Sequence, residues 1–358
     1  VLIMRSILAS LTALLAAAVL AAPLAAQGWT VAPREHVDLW LHGFALVHDD
    51  SSAVPLYRRG YRDEVAAIKR AGDVVSDLDA NRETLAAGMR SMPGLLGAQF
   101  AVLDFANWDD LREGVRLWLE TNGDLRRLRT QREFDLAARV GASFRGARER
   151  DWLRLFMRGL EDERGKYFDR AWREAQAERS AALRAAEVIW RDSVRPALGP
   201  FLGNTQQGGG AIVPSIVLEA EGRTINRSRL DNVIVTGFPA RDTAAWDVAY
   251  VMVHELVASV AASAVRDHTT PAQQRSGEAD VFNSVAMVRG GAALVEKAMP
   301  EQVEGYMRFY LRAAGHQAGA AAWASGAALR TAFANAFPIP AAMLDGMRAQ
   351  INIIWGGI

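Results

Sequence analysis

The residues of this chain most able to do chemistry are neighbours, His254 and Glu255, in the run Trp246-Asp247-Val248-Ala249-Tyr250-Val251-Met252-Val253-His254-Glu255-Leu256-Val257-Ala258. The run is otherwise almost wholly apolar and reads as a buried helix. Burying an ionised carboxylate costs several kcal/mol unless something pairs with it. A histidine and a glutamate inside such a helix therefore need a reason. Position 258, four residues past His254 and so on its helical face, holds alanine.

The pair resembles the His-Glu-x-x-His helix of the gluzincin zinc metallopeptidases, the thermolysin-like and aminopeptidase-like enzymes. In that family both histidines reach one zinc from one helical face, and the adjacent glutamate polarises the metal-bound water. The third ligand is a glutamate on a later helix, about 23 or 24 residues after the first histidine. Glu278, in Ser276-Gly277-Glu278-Ala279-Asp280, falls 24 residues after His254. The resemblance thus implies His254 as first metal ligand, Glu255 as catalytic base and Glu278 as third ligand. Ala258 replaces the second histidine, so any zinc would be weakly held or absent. A second alignment sets Val288-Arg289-Gly290-Gly291-Ala292 against the Asn-Glu-Gly-x-Ala segment of more distant relatives and places Arg289 at the third-ligand position. Both alignments stand, and Arg289 is the counter-ion to look for beside Glu255 if Glu278 lies elsewhere. The resemblance covers residues 211–304.

The elements that must position these residues follow from periodicity. Ala211 to Ala220 and Asn232 to Thr236 are β-branched and apolar and read as a strand pair, with Glu221-Gly222 able to turn. That pair feeds the His-Glu helix through an Asp242-Thr243 cap, and helices over 271–298, 301–314, 322–336 and 340–354 follow. Before it, residues 34–200 read as consecutive helices. Asn107-Trp108-Asp109-Asp110 starts one, Leu111, Val115, Trp118 and Leu119 give its apolar stripe, and Asn122-Gly123 closes it. A longer helix or bent pair covers 150–194, ended by Pro196 and Pro200. The expected fold is mainly α: an N-terminal helical bundle or array over 28–202, a glycine-rich boundary at 203–210, and a metallopeptidase-like half over 211–358 with a small β element followed by helices.

Residues 1–26 have the layout of a secretory signal peptide: Arg5, an uncharged run from Ile7 to Ala22, then small residues. A periplasmic or secreted protein is expected, with no stable membrane span after cleavage. The chain has no cysteine, which excludes disulfides and thiolate metal sites. Lys plus Arg number 41 and Asp plus Glu number 41, which argues against a nucleic-acid partner.

Other candidates read more plainly. His36, His42 and His48 are six residues apart and cannot share one helical face, so they serve separate packing and surface roles. His268 lies too far along a continuous helix to join His254. Tyr57-Arg58-Arg59-Gly60-Tyr61-Arg62 is the densest cationic and aromatic cluster; it reads as a solvated face, with an anionic headgroup or glycan as the ligand it would suit. Two functions follow: an exported metallopeptidase relative with a degenerate His-Glu-x-x-Ala site, weakly active or inactive toward peptide or protein, or a non-catalytic periplasmic helical binding or scaffold protein.

Overall fold

A computed structural model describes residues 28–48, 54–316, 323 and 326–357. The signal-peptide expectation falls on residues 1–26, outside the described residues. The protein is mainly helical, with a small four-stranded sheet in the middle and helices after it. The strands are β1 (Trp29–Val31), β2 (Gly210–Ser215), β3 (Arg223–Ser228) and β4 (Asp231–Gly237). The longer helices are α1 (Glu35–Val47), α2 (Tyr61–Ala71), α3 (Asp77–Ser91), α4 (Trp108–Glu120), α5 (Gln131–Ser143), α6 (Ala147–Glu163), α7 (Asp169–Glu178) and α8 (Ser180–Ile189) before β2. After β4 come α9 (Trp246–Leu256), α10 (Ala258–His268), α11 (Glu278–Ala298), α12 (Val303–Ala313), α13 (Gly326–Ala336) and α14 (Ala341–Gly356).

Local signals set many of these boundaries. The Asn107 side chain accepts from the Asp110 N–H at 2.9 Å and starts α4. Asn122 and Gly123, both at positive φ, close it. Ser76 with Asp79, and Thr130 with Glu133, form reciprocal caps that start α3 and α5. The proline stop comes out differently. Pro196 follows directly on a π-helical turn over Trp190–Val194, Pro200 sits in the first turn of a short helical segment, and helical turns continue to Asn204. The single helix expected over 271–298 is broken at Gly277, whose φ of 83° ends a short turn and lets α11 start at Glu278.

The sheet order is β1-β2-β4-β3. β1, β2 and β4 run parallel, and β3 returns antiparallel along β4. The expected strand pair is thus half of the sheet, with the first strand ending at Ser215 short of the expected Ala220 and the two running parallel. β3 reads Arg-Thr-Ile-Asn-Arg-Ser, a polar and partly exposed edge with no apolar alternation to find. Alternation in the two central strands sends Val213, Val233 and Val235 into one core and Ile212 and Ile234 into the other. The first core joins the sheet to α1–α6; the second joins it to α8–α14. The sheet is therefore the middle layer, and β1 carries the start of the helical half into it.

Candidate functional site

α9 is buried without interruption from Val248 to Leu256, because it lies between the sheet and the later helices. His254 is 1% exposed and Glu255 4% exposed. His254 Nδ1 meets Glu255 Oε1 at 2.9 Å, and the same oxygen accepts the Gly222 N–H at 3.0 Å. Gly222 must be glycine for that approach: a Cβ there would stand 2.0 Å from the Val235 carbonyl oxygen. The Tyr310 ring stacks on the His254 imidazole at 5.3 Å, and its hydroxyl donates to the Ala220 carbonyl at 3.1 Å. Burial holds that hydroxyl well above its ordinary pKa, so it stays a donor. The β2–β3 connection is thereby clasped twice, at Ala220 by α12 and at Gly222 by α9.

The remaining positions do not join this pair. α9 ends at Leu256, Val257 takes a non-helical turn, and α10 begins at Ala258. The two helices meet at 43°, so the chain bends between His254 and position 258. α11 packs against α9, but its buried residues run from Ala286 to Val295, and Glu278 is exposed in its first turn. The residue of α11 that reaches the β2–β3 connection is Ser284, which donates to Glu221 at 3.1 Å. That is six residues, or about 9 Å of helix, beyond Glu278. Arg289 is no counter-ion to Glu255: its guanidinium lies 5.5 Å over the Phe333 ring and reaches the Phe337 carbonyl at 3.5 Å. His268 ends α10 in an exposed position.

A hydrolytic zinc needs about three protein ligands around one point. His254 Nε2 is buried and has no hydrogen-bond partner, so one donor atom is free. Its companion Nδ1 and Glu255 Oε1 are committed to each other and to Gly222. Among the described residues no three of His, Asp or Glu gather to hold a metal ion. The donor set does not fit a catalytic zinc.

A second buried histidine and glutamate pair, with no sequence motif, lies in the helical half. His42 Nε2 meets Glu163 Oε1 at 3.0 Å, both side chains wholly buried, and His42 Nδ1 meets the Tyr61 hydroxyl at 2.7 Å. Glu163 Oε2 takes the Lys69 ammonium at 2.6 Å and the Ser76 hydroxyl. Lys69 also reaches Asp79 at 2.5 Å. Burial by itself would raise the Glu163 carboxyl. The hydrogen bond and charge of His42, then Lys69 and Ser76, outweigh it and hold the group down at about 2. A signal for Glu163 was present: it falls on the buried stripe of Leu153, Phe156, Leu160 and Tyr167.

His36 and His48 stand apart from this network. His36 Nε2 meets the Phe105 carbonyl at 3.1 Å, and burial lowers its pKa to about 4, so it is neutral. The His48 ring meets Tyr57 edge-on at 6.3 Å.

Among the described residues no single helix is long and apolar enough to cross a membrane. Comparison with family models, with curated proteins and with solved structures finds no match to this chain, so the geometry above carries the functional reading by itself.

Proposed function

We propose that this chain is an exported binding protein, a catalytically inactive relative of the gluzincin metallopeptidases in which the His-Glu pair has become a structural clasp. The observation that carries the reading is the commitment of Glu255. A general base must face the water it activates. Here the Glu255 carboxylate is 4% exposed, and its Oε1 holds both the Gly222 N–H and the His254 imidazole. Exposed Glu278 and the alanine at position 258 leave His254 alone among the three implied ligand positions, which supports the loss of catalysis and counts against the kinship.

The test is metal content and peptide hydrolysis of the purified chain, with Ala258→His beside it. The expected result is zinc well below one per chain, no hydrolysis, and no tight zinc in Ala258→His, because Glu278 is exposed and, among the described residues, no third ligand stands beside His254. Stoichiometric zinc, or hydrolysis abolished by Glu255→Gln, would overturn the reading. So would a tight zinc site in Ala258→His, since it would mean that the two positions and a third donor still share a focus.

A further inference from the structure

Tyr61 of the Tyr57–Arg62 cluster joins the Glu163 network through His42, but the arginines of the cluster belong neither to that network nor to the His254 clasp. Arg58 lines two adjoining cavities, besides a third beside Arg59 and Arg62. One, of about 290 Å³, lies at the carboxyl ends of β2 and β4, walled by Leu218, Phe238, Asp247 and Arg312. The other, of about 240 Å³, has the aromatic wall Tyr61, Tyr167, Phe168 and Trp172. Arg179, at the end of α7, lines both cavities with Arg58. The cleft lies where α2 and α7 of the helical half meet the strand ends and α9 and α12 of the second half. Carboxyl ends of parallel strands and seams between packed halves are where open α/β structures bind small molecules.

The two guanidinium groups are poorly satisfied. Arg179 has only 12% of its side chain exposed, yet its nearest carboxylate, Glu178, is 3.8 Å away and 77% exposed. Its one hydrogen bond runs to the Ala175 carbonyl at 3.3 Å, and its Nε is buried without a partner. Arg58 pairs with Glu64 at 2.7 Å through Nη1 and lies 5.1 Å over the Tyr61 ring, but its Nε is likewise buried without a partner. The groups repel: burial first, and then the charge of Arg58, lower the pKa of Arg179. Arg59 and Arg62, by contrast, are tied down, Arg59 to the Ala313 carbonyl and Arg62 to those of Ala45 and His48. Glu64 pairs with Arg58, whereas the other carboxylates of the cleft leave Arg179 without a close ion pair. Glu219 takes the Arg59 N–H at 2.8 Å, and burial pushes Asp247 up to about 6 against the opposing charge of Arg312.

We infer that this cleft binds a small organic monocarboxylate, with its carboxylate between Arg58 and Arg179 and its apolar or aromatic body on the Tyr61–Tyr167–Trp172 wall. A planar carboxylate accepts paired N–H donors from guanidinium groups, and it would relieve their mutual repulsion. A doubly charged phosphate suits the cleft less, because Glu64, Glu174 and Glu178 line the same aromatic cavity and repel it more strongly. The inference gives the binding-protein reading its ligand class, and rests on that reading in placing ligand here and not at His254.

Calorimetric titration of the whole chain with phenylacetate, 2-phenylacetamide and inorganic phosphate tests it. Phenylacetate is expected to bind at least about tenfold more tightly than the other two, and Arg58→Met or Arg179→Met to lose about tenfold or more. Arg139→Met, in the separate cavity of about 500 Å³ beside Arg34 and Arg227, should bind as the parent does. Circular dichroism checks folding. If Arg179→Met unfolds, Arg179→Lys replaces it: charge without the planar fork should give a partial loss. No phenylacetate binding up to about 10 mM overturns the inference. So do equal binding of the neutral amide, tighter phosphate, or equal losses in the Arg58 and Arg139 variants. A chain that takes phenylacetate and also holds stoichiometric zinc would overturn the inactive-relative reading and leave this one standing.

Discussion

Among the described residues are two buried histidine–glutamate pairs, and they are built differently. His42 and Glu163 are 121 residues apart and come together only through packing of α1 against α6. Around them Lys69, Ser76 and Tyr61 supply charge and hydrogen bonds, so both Glu163 oxygens and both His42 nitrogens are used. His254 and Glu255 are sequence neighbours with one outside partner, the Gly222 N–H, and leave His254 Nε2 unpaired. The pair that looks catalytic in sequence is thus the sparser of the two, and the denser one carries no motif. A short motif records which residues are adjacent in the chain; a buried charge is stabilised by whatever the fold brings to it.

The largest effect should come from breaking the denser pair. Glu163→Ala takes from buried Lys69 its buried carboxylate, leaving only the partly exposed Asp79, and removes the partner of His42. It should cost about 3–5 kcal/mol in urea unfolding. The double variant Glu163→Leu with Lys69→Met should cost less than Glu163→Ala, because no buried charge is left unpaired. A loss below about 1 kcal/mol for Glu163→Ala would show the network to be dispensable.

The same carboxyl gives a pH signature. It is held at about 2 in the fold against an ordinary 4.5, so the unfolded chain takes the proton first as pH falls. Its contribution is complete above the ordinary value and is lost as pH falls toward the folded one. Glu163→Gln should flatten the stability curve over that interval; an unchanged slope there would assign the acid loss to other groups.

At the sparser pair the effects are smaller. Gly222→Ala forces a Cβ against the Val235 carbonyl and should cost about 1–3 kcal/mol. Glu255→Ala leaves the Gly222 N–H without its acceptor and should cost a similar or smaller amount, about 1–2 kcal/mol. His254→Phe keeps the stack on Tyr310 and removes the unpaired Nε2 while giving up the bond to Glu255. It should change thermal stability by no more than about 1 kcal/mol. A loss as large as that of Glu163→Ala would mean that His254 has a stronger partner than the one it shows, and the contrast between the pairs would fail.

Local features of the fold are readable in the chain. The start and end of α4 rest on Asn107 and on Asn122-Gly123, whose capping and left-handed turn are decided within a few residues. The burial of α9 follows from an apolar run with no polar face, and β2 and β4 follow from their β-branched residues. Around the candidate site, His254 and Glu255 were visible as a buried pair needing a partner. The partner was not, because a backbone N–H at Gly222, made reachable only by a missing side chain, has no signature of its own.

Tertiary structure alone decided the rest. A bend at Val257 falls between His254 and position 258, and the N-terminal placement of Glu278 on α11 leaves it in solvent. The parallel run of β2 and β4 opens the cleft at their carboxyl ends, and the closure of α1, α2, α3 and α6 sets Lys69 and Ser76 on Glu163. Caps and periodicities are free-energy choices settled over a turn or two of chain. The pairing of a buried charge depends on which distant segments pack around it, and that is settled only when the whole chain has closed.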